Sequence, residues 1–414
     1  MVPKGWSSVQ AQDVCKSISV GVVIKPTQYY VPEGYGVKAF RSANVREGFI
    51  NDSDWVYFSH EGHAINKKSH LKTGDVLIVR TGYPGTACVV TPEFEGSNAI
   101  DIVIARPDMD KIIPEYLCAY TNSHIGKSQV LDLQGGMAQK HLNVGAYQVL
   151  KINLPPLREQ KKIAQILLTW DNAISVTEKL LTNSQQQKKA LMQQLLTGKK
   201  RLLDENGVRF STEWEFKRIS EIATRVQRKN DAAEHPILTI SSLSGFVRQD
   251  ERYSRYMAGE SVKNYILLKK GEFAYNKGNS KTYEFGCIFD LEAYEAGLVP
   301  HVYVCFRLKN GLSHRYFKYL FEADYLKPQL GALVNTGVRN NGLLNIKPTE
   351  FMQTKVPVPC FEEQESIADM LYNSSRTIRV LQDKLACLKD EKKALMQQLL
   401  TGKRRVKVDE AVAE

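Results

Sequence analysis

The twelve-residue sequence KKALMQQLLTGK occurs twice in this chain, at residues 188–199 and again at residues 392–403. The same separation also aligns residues upstream of each copy: Pro155 with Pro359, Glu159 with Glu363, Gln160 with Gln364, Ile163 with Ile367, and Ala164 with Ala368. A solenoid would repeat every ~20–50 residues, so this longer repeat indicates two copies of one large unit. The chain is therefore expected to perform one task twice, with two similar ends.

The composition indicates a soluble, cytoplasmic, multidomain protein with an anionic partner. At 414 residues and 43% hydrophobic content, the chain can form two or three packed domains. No apolar run approaches the ~18 residues of a membrane-spanning helix, and the N-terminus lacks a signal-peptide core. The seven cysteines are scattered without a CxxC pair, which is typical of reduced thiols and not of a zinc site. The net charge of +11 favours nucleic acid, although the excess is modest and spread along the chain.

Hydrophobic patterning divides the chain into five segments. Residues 1–154 and 203–358 contain short apolar runs bounded by Gly, Pro and Asn, which predicts two β-rich domains. Residues 155–202 and 359–404 each predict one long helix that begins after proline and stops at glycine. Residues 405–414 are predicted to be a polar tail. The expected fold class is α+β.

Both predicted helices carry a coiled-coil seam, because seam residues recur at alternating spacings of three and four. The seam positions are Ile163, Leu167, Trp170, Ile174, Thr177, Leu181, Ser184, Lys188, Leu191 and Leu195 in the first helix, and Ile367, Leu371, Ser374, Ile378, Leu381, Leu385, Leu388, Lys392, Leu395 and Leu399 in the second. The simplest way to bury both seams is to pair the helices with each other. The intervening block could return the chain in either direction. We favour antiparallel pairing, which makes the two halves equivalent under an internal pseudo-two-fold axis.

The identity of the two KKALMQQLLTGK copies extends beyond the seam. Burial in a coiled coil constrains only about two positions in seven, so identity elsewhere predicts a partner that docks in the same way on both copies. Chance or gene conversion would leave the same identity. The candidate partner-binding residues are Lys189, Gln193, Gln194, Lys393, Gln397 and Gln398. The β-rich domains share only faint matches, as expected of readers of two different targets.

Short motifs mark the start of each long helix. They are LPPLREQ at residues 154–160 and the looser VPCFEEQ at residues 358–364. Together with the KKALMQQLLTGK ends and the divergent domains, they resemble the specificity subunit of type I restriction-modification enzymes, over essentially the whole chain. The resemblance implies that each β-rich domain is a target recognition domain, which reads one half of an asymmetric bipartite site in double-stranded DNA. It also implies that the helices set the spacing and bind two methyltransferase subunits, through which restriction subunits join.

The same resemblance implies a non-catalytic subunit of an adenine DNA methyltransferase and ATP-dependent endonuclease. S-adenosylmethionine, ATP and Mg²⁺ would be bound by partner subunits, and no cofactor or metal by this chain. The residues agree, because NLPPL at residues 153–157 departs from the Asn-Pro-Pro-Tyr methyltransferase motif and no GxxxxGK[ST] phosphate loop occurs. Two alternatives stay open: an enzyme fused in one chain, and a coiled-coil scaffold whose β-rich domains bind protein or RNA.

Glycine-containing polar loops are the candidate DNA-reading segments. Glycine permits close backbone approach, Arg and Lys can bond guanine, and Asn and Gln can bond adenine. In the first domain the candidates are Arg80, Thr81, Tyr83, Gln134, Gln139, Lys140 and His141, and in the second Asn276, Lys277, Asn279, Lys281, Asn335, Arg339, Asn340 and Asn341. We expect each loop to contribute some contacts, since individual polar loop residues more often form turns or face solvent.

Overall fold

The structure is a computed structural model that describes residues 2–133, 141–231, 234–252, 259–278, 280–334 and 344–408. It divides into two units, each with its own core. Unit 1 comprises Met1–Lys179 with Gln382–Glu414, and unit 2 comprises Leu180–Leu381. Each unit therefore takes one half of each long helix and one β-rich region.

The β-rich part of unit 1 consists of short strands and short helices. The strands are β1 (Ser7–Gln10), β2 (Cys15–Val20), β3 (Tyr30–Val31), β4 (Gly36–Phe40), β5 (Val45–Arg46), β6 (Phe49–Ile50), β7 (Val56–Ser59), β8 (Val76–Val79), β9 (Ala87–Val89), β10 (Asn98–Ala99), β11 (Ile102–Pro107) and β12 (Lys151–Leu154). The helices are α1 (Ala11–Val14), α2 (His60–Ile65), α3 (Pro114–Asn122), α4 (His124–Leu133) and α5 (Val144–Gln148), followed by the first long helix, α6 (Leu157–Leu195). Short 3-10 helices lie at Pro26–Tyr29, Ser42–Asn44, Lys67–Ser69 and Pro92–Phe94.

Unit 2 repeats this composition. Its strands are β13 (Glu215–Arg218), β14 (Ala223–Arg225), β15 (Leu238–Ser241), β16 (Gly245–Arg248), β17 (Ile266–Lys269), β18 (Phe273–Asn276), β19 (Cys287–Asp290), β20 (Ala296–Val299), β21 (Val304–Leu308) and β22 (Lys355–Val358). Its helices are α7 (Ile219–Ile222), α8 (Gln249–Arg252), α9 (His314–Glu322), α10 (Lys327–Leu333) and α11 (Pro348–Met352), a 3-10 helix at Gly259–Asn264, and the second long helix, α12 (Phe361–Leu400).

A four-stranded antiparallel sheet of the same strand order lies in each unit. The order is β2-β11-β8-β9 in unit 1 and β14-β21-β18-β19 in unit 2. The registers also match, since Val76 pairs with Ala105 in unit 1 and Phe273 pairs with Phe306 in unit 2. A two-stranded sheet, β1-β12 or β13-β22, precedes each long helix. Unit 1 adds the sheet β10-β4-β7-β3 and the pair β5-β6, and unit 2 adds the pairs β15-β16 and β17-β20.

The long helices begin and end where the local sequence requires it. Helix α6 begins at Leu157, directly after two prolines, since proline fixes φ and lacks the N–H that a helix interior needs. Both helices end before a glycine with a left-handed backbone, at φ 71° for Gly198 and φ 72° for Gly402. The last carbonyls are closed in the same way, with Lys200 N donating to Gln194 O and Arg404 N to Gln398 O, each at 3.1 Å.

The two long helices pack antiparallel, as predicted. In unit 1 the beginning of α6 shares a core with the end of α12, through Ile163, Leu167, Met396, Leu399 and Leu400. In unit 2 the beginning of α12 shares a core with the end of α6, through Ile367, Leu371, Met192, Leu195 and Leu196. All the predicted seam positions are buried or half-buried. The α+β fold class, with two β-rich regions and two packed long helices, is therefore confirmed.

A buried carboxylate fixes the beginning of each long helix. In unit 1, Glu159 accepts hydrogen bonds from Trp6 Nε1 at 3.2 Å and from Arg405 Nε at 3.0 Å. The matching residues of unit 2 are Glu363, Trp214 (Nε1 at 2.9 Å) and Arg201 (Nε at 2.6 Å). The segment that we predicted as a polar tail therefore begins with a residue held in an ion pair.

The glutamine after each of these carboxylates closes the same turn. Gln160 accepts from Ile113 N at 3.0 Å and donates to Pro155 O at 2.8 Å. Gln364 accepts from Ser313 N at 2.9 Å and donates to Pro359 O at 2.7 Å. Both side chains are almost completely inaccessible to solvent. The repeated Glu-Gln pair thus joins each helix to its β-rich region.

Candidate nucleic-acid interface and partner surface

The first candidate loop of unit 1 is the hairpin that connects β8 to β9. Gly82 and Gly85 have φ values of 90° and 84°, which lie in the left-handed region that favours glycine. Gly85 N donates to Val79 O at 3.0 Å and closes the hairpin. Tyr83 projects from its tip with 83% of its surface exposed. The loop therefore presents an aromatic ring and Thr81 on a rigid turn.

Arg80 organises the base of this hairpin. Its Nε donates to Leu142 O at 3.0 Å, and its other nitrogens bond Asp101 and the Nε2 of His141. Because arginine only donates, Nε2 of His141 must accept, and the ring proton on Nδ1 bonds Thr81 Oγ1 at 3.0 Å. Arg80 is only 9% exposed, so its charge is already compensated inside the unit. It joins the hairpin to the segment that contains His141.

The corresponding loop of unit 2 begins after β18 and has different partners. Asn276 Oδ1 accepts from Gly278 N at 2.9 Å, a turn that a short amide side chain commonly stabilises. Lys277 occupies the position of Arg80, since Leu344 N donates to Lys277 O at 3.1 Å as Leu142 N donates to Arg80 O at 2.9 Å. Burial and the nearby charge of Arg225 lower the pKa of Lys277. Lys281 is exposed in the same loop.

Several candidate residues lie outside the described residues. They are Gln134, Gln139 and Lys140 in the first domain, and Asn279, Asn335, Arg339, Asn340 and Asn341 in the second. The structure brings together Arg80, Thr81 and His141 in unit 1, and Asn276 and Lys277 in unit 2. Their contacts with DNA stay a prediction.

The six candidate partner-binding residues are all exposed on the helices. Their local structure is the same in both copies. Thr197 Oγ1 donates to Gln193 O and Thr401 Oγ1 to Gln397 O, each at 2.6 Å. Among the described residues, none of the six side chains forms a hydrogen bond or ion pair. Neither intrachain bonding nor burial in the structure accounts for the identity at these positions.

One of the two patches borders a groove in unit 2. Lys189 and Gln193 line an open cavity of about 800 Å³ together with apolar and charged residues, namely Gln185, Lys188, Met192, Leu196, Thr197, Glu322, Ala323, Asp324, Tyr325, Lys327, Pro328 and Gln329. Lys188 Nζ bonds Glu322 at 2.5 Å at its edge, and burial raises the pKa of Asp324 to about 6. The groove therefore offers an apolar floor with charged walls.

No group of three or more His, Cys, Asp and Glu side chains within the described residues is arranged to hold a metal ion. None of the described helices has the combination of length and apolar character that a bilayer-spanning helix requires.

Comparison with known proteins agrees with the two-unit architecture. A family model described as the type I restriction modification DNA specificity domain matches residues 3–183. The MjaVIII specificity subunit of Methanocaldococcus jannaschii is 25% identical over 437 residues, covering 98% of this chain and 94% of the relative. The EcoKI specificity subunit of Escherichia coli is 23% identical over 390 residues, covering 88% and 81%. The chain is similar over almost its whole length to specificity subunits of type I restriction-modification enzymes.

Solved structures of specificity subunits share the fold of this chain. The HsdS subunit from Thermoanaerobacter tengcongensis superposes with a TM-score of 0.50 at 16% identity, over 97% of this chain and 98% of that one. The S subunit from M. genitalium gives a TM-score of 0.56 at 12% identity, over 96% of each chain. A chain from a structure of type I complex assembly and conformational transition gives 0.57 at 16% identity, over 98% and 100%. The two-unit fold of specificity subunits is therefore present over essentially the whole chain.

Two residues that shape the candidate sites could not be identified from the sequence. Asp101 forms an ion pair with Arg80, although the two residues are 21 positions apart in the sequence. No feature of the repeat indicates that Asp101 has this role. The charge of Arg225 lowers the pKa of Lys277, yet the equivalent of Arg225 in unit 1 is Ile18, which occupies the same register position. Only the register of the sheets reveals that Arg225 and Ile18 are equivalent, because an arginine and an isoleucine share no chemistry.

Proposed function

We propose that this chain is the non-catalytic DNA specificity subunit of a type I restriction-modification complex. Each β-rich domain reads one half of an asymmetric bipartite DNA site. The observation that carries the proposal is the contrast within the repeat. The helix-start bonds and the exposed KKALMQQLLTGK residues are the same in both units, whereas the loops after β8 and β18 differ in residues and in partners.

The loops support DNA reading by their chemistry. The loops follow β8 and β18, which hold the same place in the equivalent sheets of the two units. Both loops present polar or aromatic side chains on a glycine-containing turn. Such groups bond base edges and phosphates. Because the two loops differ, the two half-sites would differ, and the antiparallel helices would set the spacing between them.

The exposed helix patches support assembly with partners. Lys189, Gln193 and Gln194 would bind one methyltransferase subunit, and Lys393, Gln397 and Gln398 a second. Restriction subunits would join through these. S-adenosylmethionine, ATP and Mg²⁺ would then be bound in the partner subunits, in the cytoplasm.

An exchange of domains tests the proposal. Residues 1–154 are replaced by the matching domain of another specificity subunit, and methylated adenines are mapped across the host genome. One half of the methylated site should change while the other stays, because each domain contacts its own half-site. The matched control replaces residues 203–358 and should change the opposite half. A change of both halves, or no dependence of methylation on this chain, would contradict the proposal. The latter would favour a scaffold that binds protein or RNA.

A further inference from the structure

A groove in unit 2 borders one of the two repeated helix patches. It has a volume of about 800 Å³ and lies between the C-terminal part of α6 and the turn that joins α9 to α10. Lys189 and Gln193 of the patch line one side of the groove. Ala323, Asp324 and Tyr325 of the turn line the other side. A partner that docks on the patch would therefore also face the turn.

Asp324 is an unusual residue for its position in this turn. It follows α9 with a left-handed backbone at φ 54°, where helices most often have glycine or asparagine. A carboxylate at this end of a helix also meets the negative pole of the helix dipole. Burial raises the pKa of Asp324 to about 6, although the nearby charge of Lys327 opposes this. The ionised carboxylate is therefore costly to the folded chain.

The Asp324 carboxylate has no counter-ion within the described residues. It takes part in no hydrogen bond and no ion pair there. The lysines around it do not supply one, because Lys188 Nζ bonds Glu322 at 2.5 Å and Lys327 Nζ bonds Glu284 at 3.1 Å. A half-buried charge without a partner is expected where a ligand completes the site. The missing ligand would be a cation.

Unit 1 has a different residue at the equivalent place. Ile113 N and Ser313 N each donate to the glutamine that follows a helix-start carboxylate. Gln129 of α4 and its counterpart in α10 each accept from the first N–H of the strand before the long helix. Both pairs are separated by 200 residues, so His124 of unit 1 occupies the position of Asp324. Unit 1 therefore offers no acid beside its copy of the patch.

We propose that a lysine or arginine of the methyltransferase subunit docked on the α6 patch pairs with Asp324, while a neighbouring apolar side chain occupies the groove. The cation would compensate the half-buried carboxylate, and the apolar side chain would contact Met192, Leu196 and Tyr325. An amphipathic helix laid along α6 carries both kinds of side chain three or four residues apart. The inference rests on the proposed function and adds a contact that only unit 2 provides.

Assembly of the full chain with its methyltransferase subunit tests this contact. The dissociation constants of the two binding steps are measured by mass photometry at neutral pH. Asp324→Asn removes the charge but keeps the shape, and asparagine readily adopts a left-handed backbone, so the chain should fold. One of the two steps should weaken about tenfold, as expected for one charge-assisted contact. The melting temperature of the isolated chain should stay the same or rise, whereas a merely structural role would lower it.

Matched variants control for the loss of charge alone. Glu205→Gln removes an exposed acid of unit 2 that does not line the groove. His124→Asn changes the equivalent position of unit 1. Both variants should bind with wild-type affinity. Ala323→Arg places a cation of the chain itself beside Asp324 and should weaken the same step without removing the acid, which provides a second reading if Asp324→Asn does not fold. Wild-type affinity in the folded Asp324→Asn or Ala323→Arg variant would overturn the inference.

Substitutions in the methyltransferase subunit identify the cation. Its exposed lysines and arginines are replaced by methionine one at a time. One substitution should weaken binding to the wild-type chain but cause no further loss with Asp324→Asn, because the contact is already missing. Equal losses with both chains at every position would overturn the contact. Self-association of this chain that Asp324→Asn abolishes would assign the groove to a second copy and would also overturn it. A wild-type chain that binds no methyltransferase subunit would instead overturn the proposed function.

Discussion

The two units make the same contacts where each long helix begins but surround their loop cations differently. Glu159 and Glu363 each hold a tryptophan and an arginine, so packing has kept these residues in both copies. Arg80 is bonded to an acid, whereas burial and the charge of Arg225 lower the pKa of Lys277. The difference indicates that the buried Glu-Trp-Arg contact is kept in both units, while the loop end of the sheet can change its charge balance without altering the strand order.

The largest effect is expected at the buried helix-start carboxylates. Glu363 is completely buried, whereas the side chain of Glu159 is 11% exposed. Glu363→Ala removes charge-assisted hydrogen bonds to Arg201 and Trp214, and should lower the stability of unit 2 by about 2–3 kcal/mol. Glu159→Ala should have a smaller effect, confined to unit 1, because water can replace part of the lost bonding.

Hydrogen exchange of each unit measures these changes separately, because a two-unit chain need not unfold in one step. Glu362→Ala provides the matched control, since Glu362 is exposed next to Glu363. If Glu159→Ala lowered protection from hydrogen exchange more than Glu363→Ala did, burial of the carboxylate would not explain its contribution to stability.

An intermediate effect is expected at the loop cations. Arg80→Met leaves Asp101, His141 and Leu142 O without their donor and should cost about 1–2 kcal/mol in unit 1. Lys277→Met removes one of two repelling charges, so unit 2 should be unchanged or slightly more stable at neutral pH. Hydrogen exchange around β8 and β18 compares the two, and a larger loss in unit 2 would show that Lys277 has a stabilising partner.

The pH dependence of Lys277 has a definite sign. Its folded-state pKa is lowered, so between that pKa and the ordinary lysine value the unfolded state binds more protons. Stability of the wild type should therefore rise with pH through this alkaline window, relative to Lys277→Met. A wild type whose stability does not rise relative to Lys277→Met in this window would contradict the lowered pKa.

The smallest effect is expected at the seam lysines. Lys392 Nζ reaches across to Asp171 of the opposite helix at 2.5 Å, whereas Lys188 Nζ bonds Glu322 of α9 at 2.5 Å and lies over the ring of Tyr319 at 5.3 Å. Double-mutant cycles with Lys392→Met and Asp171→Asn, and with Lys188→Met and Glu322→Gln, should each give a coupling of about 0.5–1 kcal/mol.

The two cycles should differ in location. Lys392→Met should raise hydrogen exchange in the parts of α6 and α12 that belong to unit 1. Lys188→Met should raise it in α9 and in the part of α6 that belongs to unit 2. Lys389→Met, which removes an exposed ion pair with Glu178, is the control with the least expected change. If Lys188→Met raised hydrogen exchange in both α6 and α12, the two lysines would act alike.

Much of the fold followed from local sequence. Proline and glycine predicted where the helices begin and end. The 3-4 spacing predicted the seam residues, including buried Thr177 and half-buried Ser184. These features depend on backbone geometry and periodicity, which a sequence displays directly. The bonding of the Glu-Gln pair could not be predicted, because its partners Trp6, Ile113 and Arg405 are distant in sequence.

The candidate site was only partly predictable for the same reason. Glycine and polar residues indicated the loops after β8 and β18, but composition gave Arg80 and Lys277 the same role. The difference between them comes from Asp101, which bonds Arg80, and from Arg225, whose charge lowers the pKa of Lys277; both come from other parts of the chain.

The sequence by itself determined that this protein has two copies of one unit, two long helices with apolar seams, and identical exposed helix patches. Repetition and periodicity are properties of order along the chain, and no folded contact is needed to establish them. Only the tertiary structure decided that the helices run antiparallel, that Arg405 closes unit 1, and that one loop cation is neutralised while the other is not. Those outcomes depend on which distant residues meet, and the strength of an ion pair or of a repulsion is set by that distance and by the water that burial removes.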